Sequence, residues 1–267
     1  MSSGSDRGIL YAASGREYVD EAISSSKTLA EENEKVRTLI CTEHEQTSKV
    51  EKHFNEVRTL ERSGYNIKIG SMIASPFERT LFLDTDTHVC ASLEDLFDIL
   101  DRFDIAAAHS PIRHAPIRTA PFREDGGKEA RGHDIPLSFP EFNTGVVAFK
   151  KSTAVEQLLH RWLELHERHR EKSEVPIPDQ PSFREAAFES AADIAALTPE
   201  WNFRLGFSGY VQGQVRILHG RMGAMGTKAK RINRHTGPRV FVPGVGTIRK
   251  RSVLGRIVRK IAELLQT

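Results

Sequence analysis

Apolar residues in this chain come in short runs separated by longer amphipathic stretches, and that alternation carries the first structural reading. Gly8-Ile9-Leu10-Tyr11-Ala12-Ala13 reads as a strand, the segment from about Glu17 to Glu32 as a helix, and Arg37 to Thr42 as a second strand. A helical stretch through Ser71 to Ala74 leads into a strand at Thr80 to Leu83. Ser92-Leu93-Glu94-Asp95 has the form of a capped helix start, and Asp104 to Ala108 follows as a strand. Phe142 to Phe149 is a further strand, with a polar residue and a glycine near its start. Val155, Leu158, Leu159, Trp162 and Leu163 share one face of a helix from Ala154 to about His169, a stripe that reads as core. Asp179-Gln180-Pro181 opens another helix, proline being suited to a first turn, and Val215 to His219 is a last strand. Such alternation predicts an α/β fold: a mostly parallel, Rossmann-like sheet flanked by helices, with ligands at the carboxyl ends of the strands.

Between Ser110 and Pro140 the periodicity vanishes and Pro, Gly, Arg and His dominate. A connection that long is expected to be a lid, a binding loop or disordered. The 267 residues, 39% of them hydrophobic, suffice for one large core with small additions, so a single main domain is expected. The formal net charge of +2 hides an uneven distribution, because Lys and Arg accumulate from Arg221 to Lys260 with only Glu263 after them in opposition. A nucleic-acid binder would be basic throughout, and that class is set aside. Cys41 and Cys90 are too few for a disulfide framework or a Cys-based zinc site and fit a reducing cytoplasm. Met1 to Arg7 lacks the apolar core of a secretory signal and no run has transmembrane length, which predicts a soluble or surface-bound protein.

The chemistry concentrates in Phe82-Leu83-Asp84-Thr85-Asp86, where two acidic residues end an apolar run. Burying carboxylates without partners is costly, so such a strand end holds a divalent cation or a shared proton. The spacing suits a metal that also binds a phosphate. Taken alone, the same letters also occur in surface turns and helix N-caps.

Further blocks occur in order along the chain: Ala12-Ala13-Ser14 at the end of the first strand, Phe142-Asn143-Thr144-Gly145, Asp179-Gln180, Trp201-Asn202 and Ile217-Leu218-His219-Gly220. Together with the acidic block they resemble the nucleotide-sugar glycosyltransferases of the GT-A fold. Retaining family 8, which includes glycogenin and bacterial lipopolysaccharide galactosyltransferases, is the nearest likeness. It spans about Gly8 to Gly220 and leaves the last fifty residues outside. It implies a GT-A domain over 1–220, a basic extension over 221–267, and metal-dependent transfer of a sugar from a nucleoside-diphosphate sugar, a UDP-sugar in the first instance. The acceptor would be a glycan, lipid-linked or protein group.

By the same resemblance, Asp84, Asp86 and His219 are similar to the ligands of Mn²⁺ or Mg²⁺. Ala12, Ala13 and Ser14 match the segment lying along the nucleotide, and Tyr18 is a candidate to stack on the base or an ordinary helix aromatic. Lys68 and Thr85 fall among the donor-binding residues. Asn143 is implied to hydrogen-bond the donor sugar, with Gly145 letting the chain pass close to it. Asp179 and Gln180 match the pair facing the anomeric carbon, where an acidic or amide oxygen would stabilise an oxocarbenium-like state. Asp179 also suits the N-cap of its helix.

The chain departs from the family in two places. Ala108-His109-Ser110 stands where an Asp is usual, so His109 replaces a sugar contact or the contact is missing. The late Lys-Pro-Trp element is absent, and Arg221 or Lys228 is expected at the diphosphate instead. Two other classes share parts of this pattern. A haloacid dehalogenase-type phosphatase also ends a strand in Asp-x-Asp, but usually after its first strand and with Thr or Val where this chain has His88. A non-catalytic sugar-nucleotide-binding domain would share the fold without turnover. Finally, Val253, Leu254, Ile257, Val258, Ile261, Leu264 and Leu265 fall on one arc of a helix, with Arg256, Arg259 and Lys260 outside it. After the basic cluster from Lys228 to Arg251, this amphipathic helix is expected to dock on the core or on an anionic membrane surface.

Overall fold

Period-two alternation organises the centre of the molecule. Ile9, Tyr11, Ala13, Leu81, Leu83, Val146 and Ala148 face one side of a sheet, and Leu10, Phe82, Val147 and Phe149 face the other; all are buried. A strand buried on both faces reads as an unbroken apolar run, as these do. The computed structural model describes residues 7–59, 65–112, 135–136, 138–171, 177–249 and 257.

The chain opens with β1 (Arg7–Ala13), α1 (Arg16–Glu32), β2 (Arg37–Thr42), α2 (Thr47–Val50), β3 (Glu56–Thr59) and α3 (Tyr65–Ile73). It continues through β4 (Arg79–Leu83), β5 (Thr87–Val89), α4 (Glu94–Asp98), β6 (Ile105–His109), β7 (Phe142–Lys150), α5 (Thr153–Glu171), α6 (Gln180–Glu189) and β8 (Ile194–Leu197). The central sheet has the order β3-β2-β1-β4-β7-β6-β8. It is parallel except at β7, which runs against both neighbours. On one face Val19, Ala22, Ile23 and Leu29 of α1 pack down, and on the other Met72 of α3, Leu158 and Trp162 of α5 and Phe183 of α6. The Val155-to-Leu163 stripe is core. Ser92 lies one place before the N-cap of α4, and its Oγ accepts the Glu94 amide at 3.4 Å.

Two smaller sheets follow, built from β9 (Phe203–Arg204), β10 (Gly209–Val211), β11 (Ile217–His219), α7 (Met225–Asn233), β12 (Arg239–Val242) and β13 (Gly246–Ile248). One has the order β5-β11-β9, the other β10-β12-β13. Phe203, Leu205, Val211, Val215 and Leu218 share a third apolar cluster with Ala229 and Ile232 of α7, so residues on both sides of position 220 build it. Arg239 is buried here, its guanidinium donating to the carbonyls of Ile232, Gly237 and Gly213. Most of the 110–140 segment, and the expected tail helix apart from Ile257, lie outside the described residues. No described helix is long and apolar enough to cross a membrane.

Two features aim the sheet at the site. Against β6, the partner of Ala107 is Val147 but that of Ala108 is Asn143, so β7 bulges at Thr144, Gly145 and Val146. Bulges re-aim side chains, and this one sits beside the end of β4. The other is the buried indole of Trp162, whose Nε1–H donates to the Asp179 carbonyl at 3.0 Å and whose ring meets Phe183 edge-on at 4.8 Å. Trp162→Phe leaves the α6 entry without that donor and should cost about 1–3 kcal/mol. Urea unfolding measures it, and an unchanged midpoint would contradict this role.

Candidate functional site

The apolar run of β4 ends at Leu83 and the chain turns through Asp84, Thr85 and Asp86 into β5. Thr87 Oγ1 closes the turn by donating to the Asp84 carbonyl at 2.8 Å. Because β5 pairs antiparallel with β11, Thr87 lies opposite His219, and the Gly220 amide donates to the Asp86 carbonyl at 3.0 Å. Residues distant in sequence are thereby joined. His219 Nε2 lies 3.2 Å from Asp86 Oδ1 and 3.6 Å from Asp84 Oδ2. One ligand atom from each of the three lies within 4.8 Å of the others. Carboxylate oxygens with one imidazole nitrogen form a donor set suited to Mn²⁺ or Mg²⁺.

The bulge in β7 supplies the floor. The Gly145 carbonyl accepts the Asp84 amide at 2.8 Å, and a Cβ on Gly145 would stand 2.0 Å from His219 Cε1 and 2.8 Å from Asp84 Oδ2. The glycine makes room for two members of the triad. Asn143 is buried and turned inward, its Oδ1 accepting from the Gly145 amide at 3.0 Å and from Asn202 Nδ2 at 2.8 Å. Asn202 Oδ1 in turn lies 2.7 Å from His219 Nδ1.

Lys68 projects from α3 into the same buried region. Its ammonium contacts Asp84 Oδ1 at 3.1 Å, Asp179 Oδ2 at 3.0 Å and Thr144 Oγ1 at 3.1 Å, and stands 5.2 Å from the centre of the Phe82 ring. Burial works against its charge, but the two carboxylates outweigh it and hold the ammonium above its ordinary value. Asp179 occupies the N-cap position of α6 without a side-chain cap bond. Its carboxylate instead takes Lys68 and the Thr144 hydroxyl, the latter at 2.9 Å. Burial raises the Asp179 carboxyl, and these two partners more than offset it, leaving it below the carboxylate range. The acidic pair splits. Burial raises Asp84 despite Lys68 and His219, whereas Asp86, although also desolvated, is held at about 2 by the hydrogen bond and charge of His219 with help from Arg221. Gln180 begins α6, and its Oε1 accepts from Ser110 Oγ at 3.2 Å. His109 ends β6 exposed.

A second cluster lies on the outer side of Asp86. Arg221 grips Glu21 of α1 with Nε at 2.7 Å and Nη2 at 3.0 Å, reaches Asp86 Oδ2 with Nη1 at 3.7 Å, and lies 5.1 Å over the Tyr18 ring. Thr85 donates to the same Glu21 carboxylate at 2.8 Å. Tyr18 is 45% exposed. Ala12 and Ala13 end β1, and the following Ser14 hydroxyl and Gly15 amide both donate to Glu43, the latter at 2.8 Å. Lys228, on α7, donates to the Gly223 carbonyl.

Sequence reasoning did not single out Asn202, Glu21, Glu43 or Thr144. Trp201-Asn202 stood in the ordered series, but a buried asparagine facing a histidine looks the same in sequence as a turn residue. Glu21 and Glu43 are ordinary acids on a helix and after a strand until the fold brings them to the site. Gly145→Ala tests the close packing beneath the triad. It should weaken Mn²⁺ binding by about tenfold or more and lower stability by about 1–3 kcal/mol. Mn²⁺ titration of the folded variant would contradict this if affinity were that of the wild type.

Comparison with known proteins agrees with this architecture. Residues 9–101 match the mannosyltransferase family model Mannosyl_trans3. No protein of established function matches by sequence. The structure resembles the glycosyltransferase GlyE of Streptococcus pneumoniae, with TM-score 0.53 and 20% identity over 76% of this chain and 47% of that one. This chain thus spans about half the length of GlyE. It also resembles the galactosyltransferase LgtC, solved with donor and acceptor sugar analogues, with TM-score 0.52 and 14% identity over 81% of this chain and 88% of that one. The bifunctional glycosyltransferase WbbM gives TM-score 0.53 and 15% identity over 76% and 40% of the two chains. The chain has the GT-A fold of glycosyltransferases.

Proposed function

We propose that this protein is a metal-dependent glycosyltransferase that moves a sugar from a nucleoside-diphosphate sugar to a glycan or lipid-linked acceptor, with retention at the anomeric carbon. The convergence of Asp84, Asp86 and His219 at the carboxyl end of β4 carries the reading. A Mn²⁺ or Mg²⁺ ion held by these three would stabilise the negative charge that develops on the departing diphosphate. Arg221 stands beside Asp86, and together with Lys228 it supplies positive charge from the loop and helix that follow His219. Ala12, Ala13 and Ser14, small residues at and just past the end of β1, would let the nucleoside approach the backbone, and Tyr18 offers a ring to the base once Arg221 turns toward phosphate.

Gln180 is the residue assigned to the anomeric centre. Ser110 occupies one side of its carbonyl oxygen, and the remaining lone pair can face the positive charge that builds on the sugar. Asp179, neutralised by Lys68, contributes position rather than free charge. The mannosyltransferase family match makes GDP-mannose the donor to set against UDP-hexoses. Release of nucleoside diphosphate from a panel of UDP- and GDP-sugars with Mn²⁺ tests the reading. Asp86→Ala should abolish metal-dependent release, and unchanged turnover at saturating Mn²⁺ would overturn the assignment. Gln180→Ala should lower turnover strongly while affinity for free nucleoside diphosphate stays within about threefold, under 0.7 kcal/mol. The reverse pattern would contradict its role.

The basic C-terminal region supports a peripheral, cytoplasmic-face association with anionic membrane. Residues 201–262 contain fourteen Lys and Arg and no Asp or Glu. Tyr210 and Val240, paired across β10 and β12, are exposed together. Each basic residue near an anionic bilayer contributes about 1 kcal/mol, screened by salt. Cys41 and Cys90 are free thiols, as in a reducing compartment. The protein should float with anionic liposomes at low salt and stay in solution with neutral ones. Equal behaviour with both lipids would contradict the proposal.

A further inference from the structure

The hydrogen bonds behind His219 form a chain whose polarity is set at one end by the backbone. A backbone amide can only donate, so the Gly145 N–H at 3.0 Å marks the Asn143 atom it meets as the carbonyl oxygen. The Asn202 atom 2.8 Å from that oxygen must then be the amide nitrogen, which also lies 3.4 Å from the Asn143 backbone carbonyl. The opposite orientation would set oxygen against two oxygens in a buried space. With its nitrogen committed, Asn202 presents its oxygen to His219 Nδ1 at 2.7 Å, and that ring nitrogen must carry a proton. Nε2 is left directed at Asp84 and Asp86. All three side chains are buried, with exposures of 1% for Asn143, 5% for Asn202 and 3% for His219, so water cannot substitute for a missing partner.

We infer that Asn202, locked by Asn143, is a positioning residue for the metal: it holds the His219 proton on Nδ1 and so presents Nε2 as the ligand atom. This rests on the metal reading of the Asp84, Asp86 and His219 triad proposed above. Asn202 touches neither metal nor substrate in this account and acts through His219 alone. It also gives Asn143 a duty exercised through its oxygen, distinct from any sugar contact through its amide nitrogen. Partners of this kind fix the tautomer and orientation of ligating histidines, and losing one typically weakens binding by about ten- to a hundredfold.

The test is Mn²⁺ affinity of the donor-free protein, read from the electron paramagnetic resonance signal of free Mn²⁺, in a cycle between Asn202→Leu and His219→Ala. Asn202→Leu should weaken binding by about ten- to a hundredfold in the wild-type background and by less than about twofold in the His219→Ala background. Equal losses in both backgrounds would show that Asn202 acts by general damage to the site, overturning the inference while leaving the metal triad standing. A wild type that binds no Mn²⁺, or a His219→Ala variant that binds it unchanged, would remove the triad and the inference with it. Asn143 provides a second route should Asn202→Leu not fold. Asn143→Asp keeps an acceptor for both donors and should bind Mn²⁺ at least as tightly as wild type, whereas Asn143→Leu should lose about tenfold. Loss in Asn143→Asp equal to that in Asn143→Leu would overturn the relay.

Discussion

Asp84, Asp86 and Asp179 put three carboxylates at one end of the central sheet, Asp179 buried and the other two partly buried, and much of the surrounding structure follows from that charge. Removing one partner from a buried ion pair typically costs about 3–5 kcal/mol, because the other charge is left stranded. Lys68 answers two of the three carboxylates, bridging Asp84 and Asp179 from α3. Arg221 reaches the third from the loop after β11, and His219 lies between Asp84 and Asp86. The cations come from different parts of the chain, so the fold can close only when those parts meet. The acidic cluster is in this sense a constraint on tertiary structure as much as a candidate binding site.

The meeting point is shaped by local irregularities in otherwise regular elements. Without the bulge in β7, Gly145 would not lie under Asp84 and His219; with any side chain at 145, those two could not occupy their present positions. The short pairing of β5 with β11 brings a late histidine onto an early acidic turn. Glu21 then ties α1 to both ends of this arrangement, accepting from Thr85 on one side and Arg221 on the other. In the proposed function these ties hold the nucleotide side, formed by β1, α1 and the acidic turn, against the sugar side, formed by β7 and the start of α6. Arg221 is the component best suited to change partners, since it is half exposed and bound to carboxylates that a diphosphate would rival.

The long apolar runs of β1, β4 and β7 and the stripe on α5 were legible because a buried two-faced strand and an amphipathic helix impose strong periodicities. The acidic turn and His219 stood out once the ordered series of short blocks was recognised. Shorter elements were not legible: β3, β8, β9, β10, β12 and β13 span two to four residues, too few for a period to register. The reversed direction of β7 could not be read either, since an apolar run carries no mark of its orientation. Asp179 shows a subtler difficulty. Its place before Gln180-Pro181 suits a helix cap, yet Lys68, distant in sequence, draws the carboxylate into an ion pair instead.

In the proposed function Asp84, Asp86 and His219 bind one divalent ion, the histidine through Nε2. Electron spin-echo envelope spectroscopy of the Mn²⁺-loaded protein addresses it directly, because a nitrogen bonded to the ion modulates the echo. The expected result is modulation from one histidine nitrogen that disappears in His219→Ala, with phosphorus coupling appearing when nucleoside diphosphate is added. Bound Mn²⁺ with no nitrogen modulation, or modulation that survives His219→Ala, would contradict it.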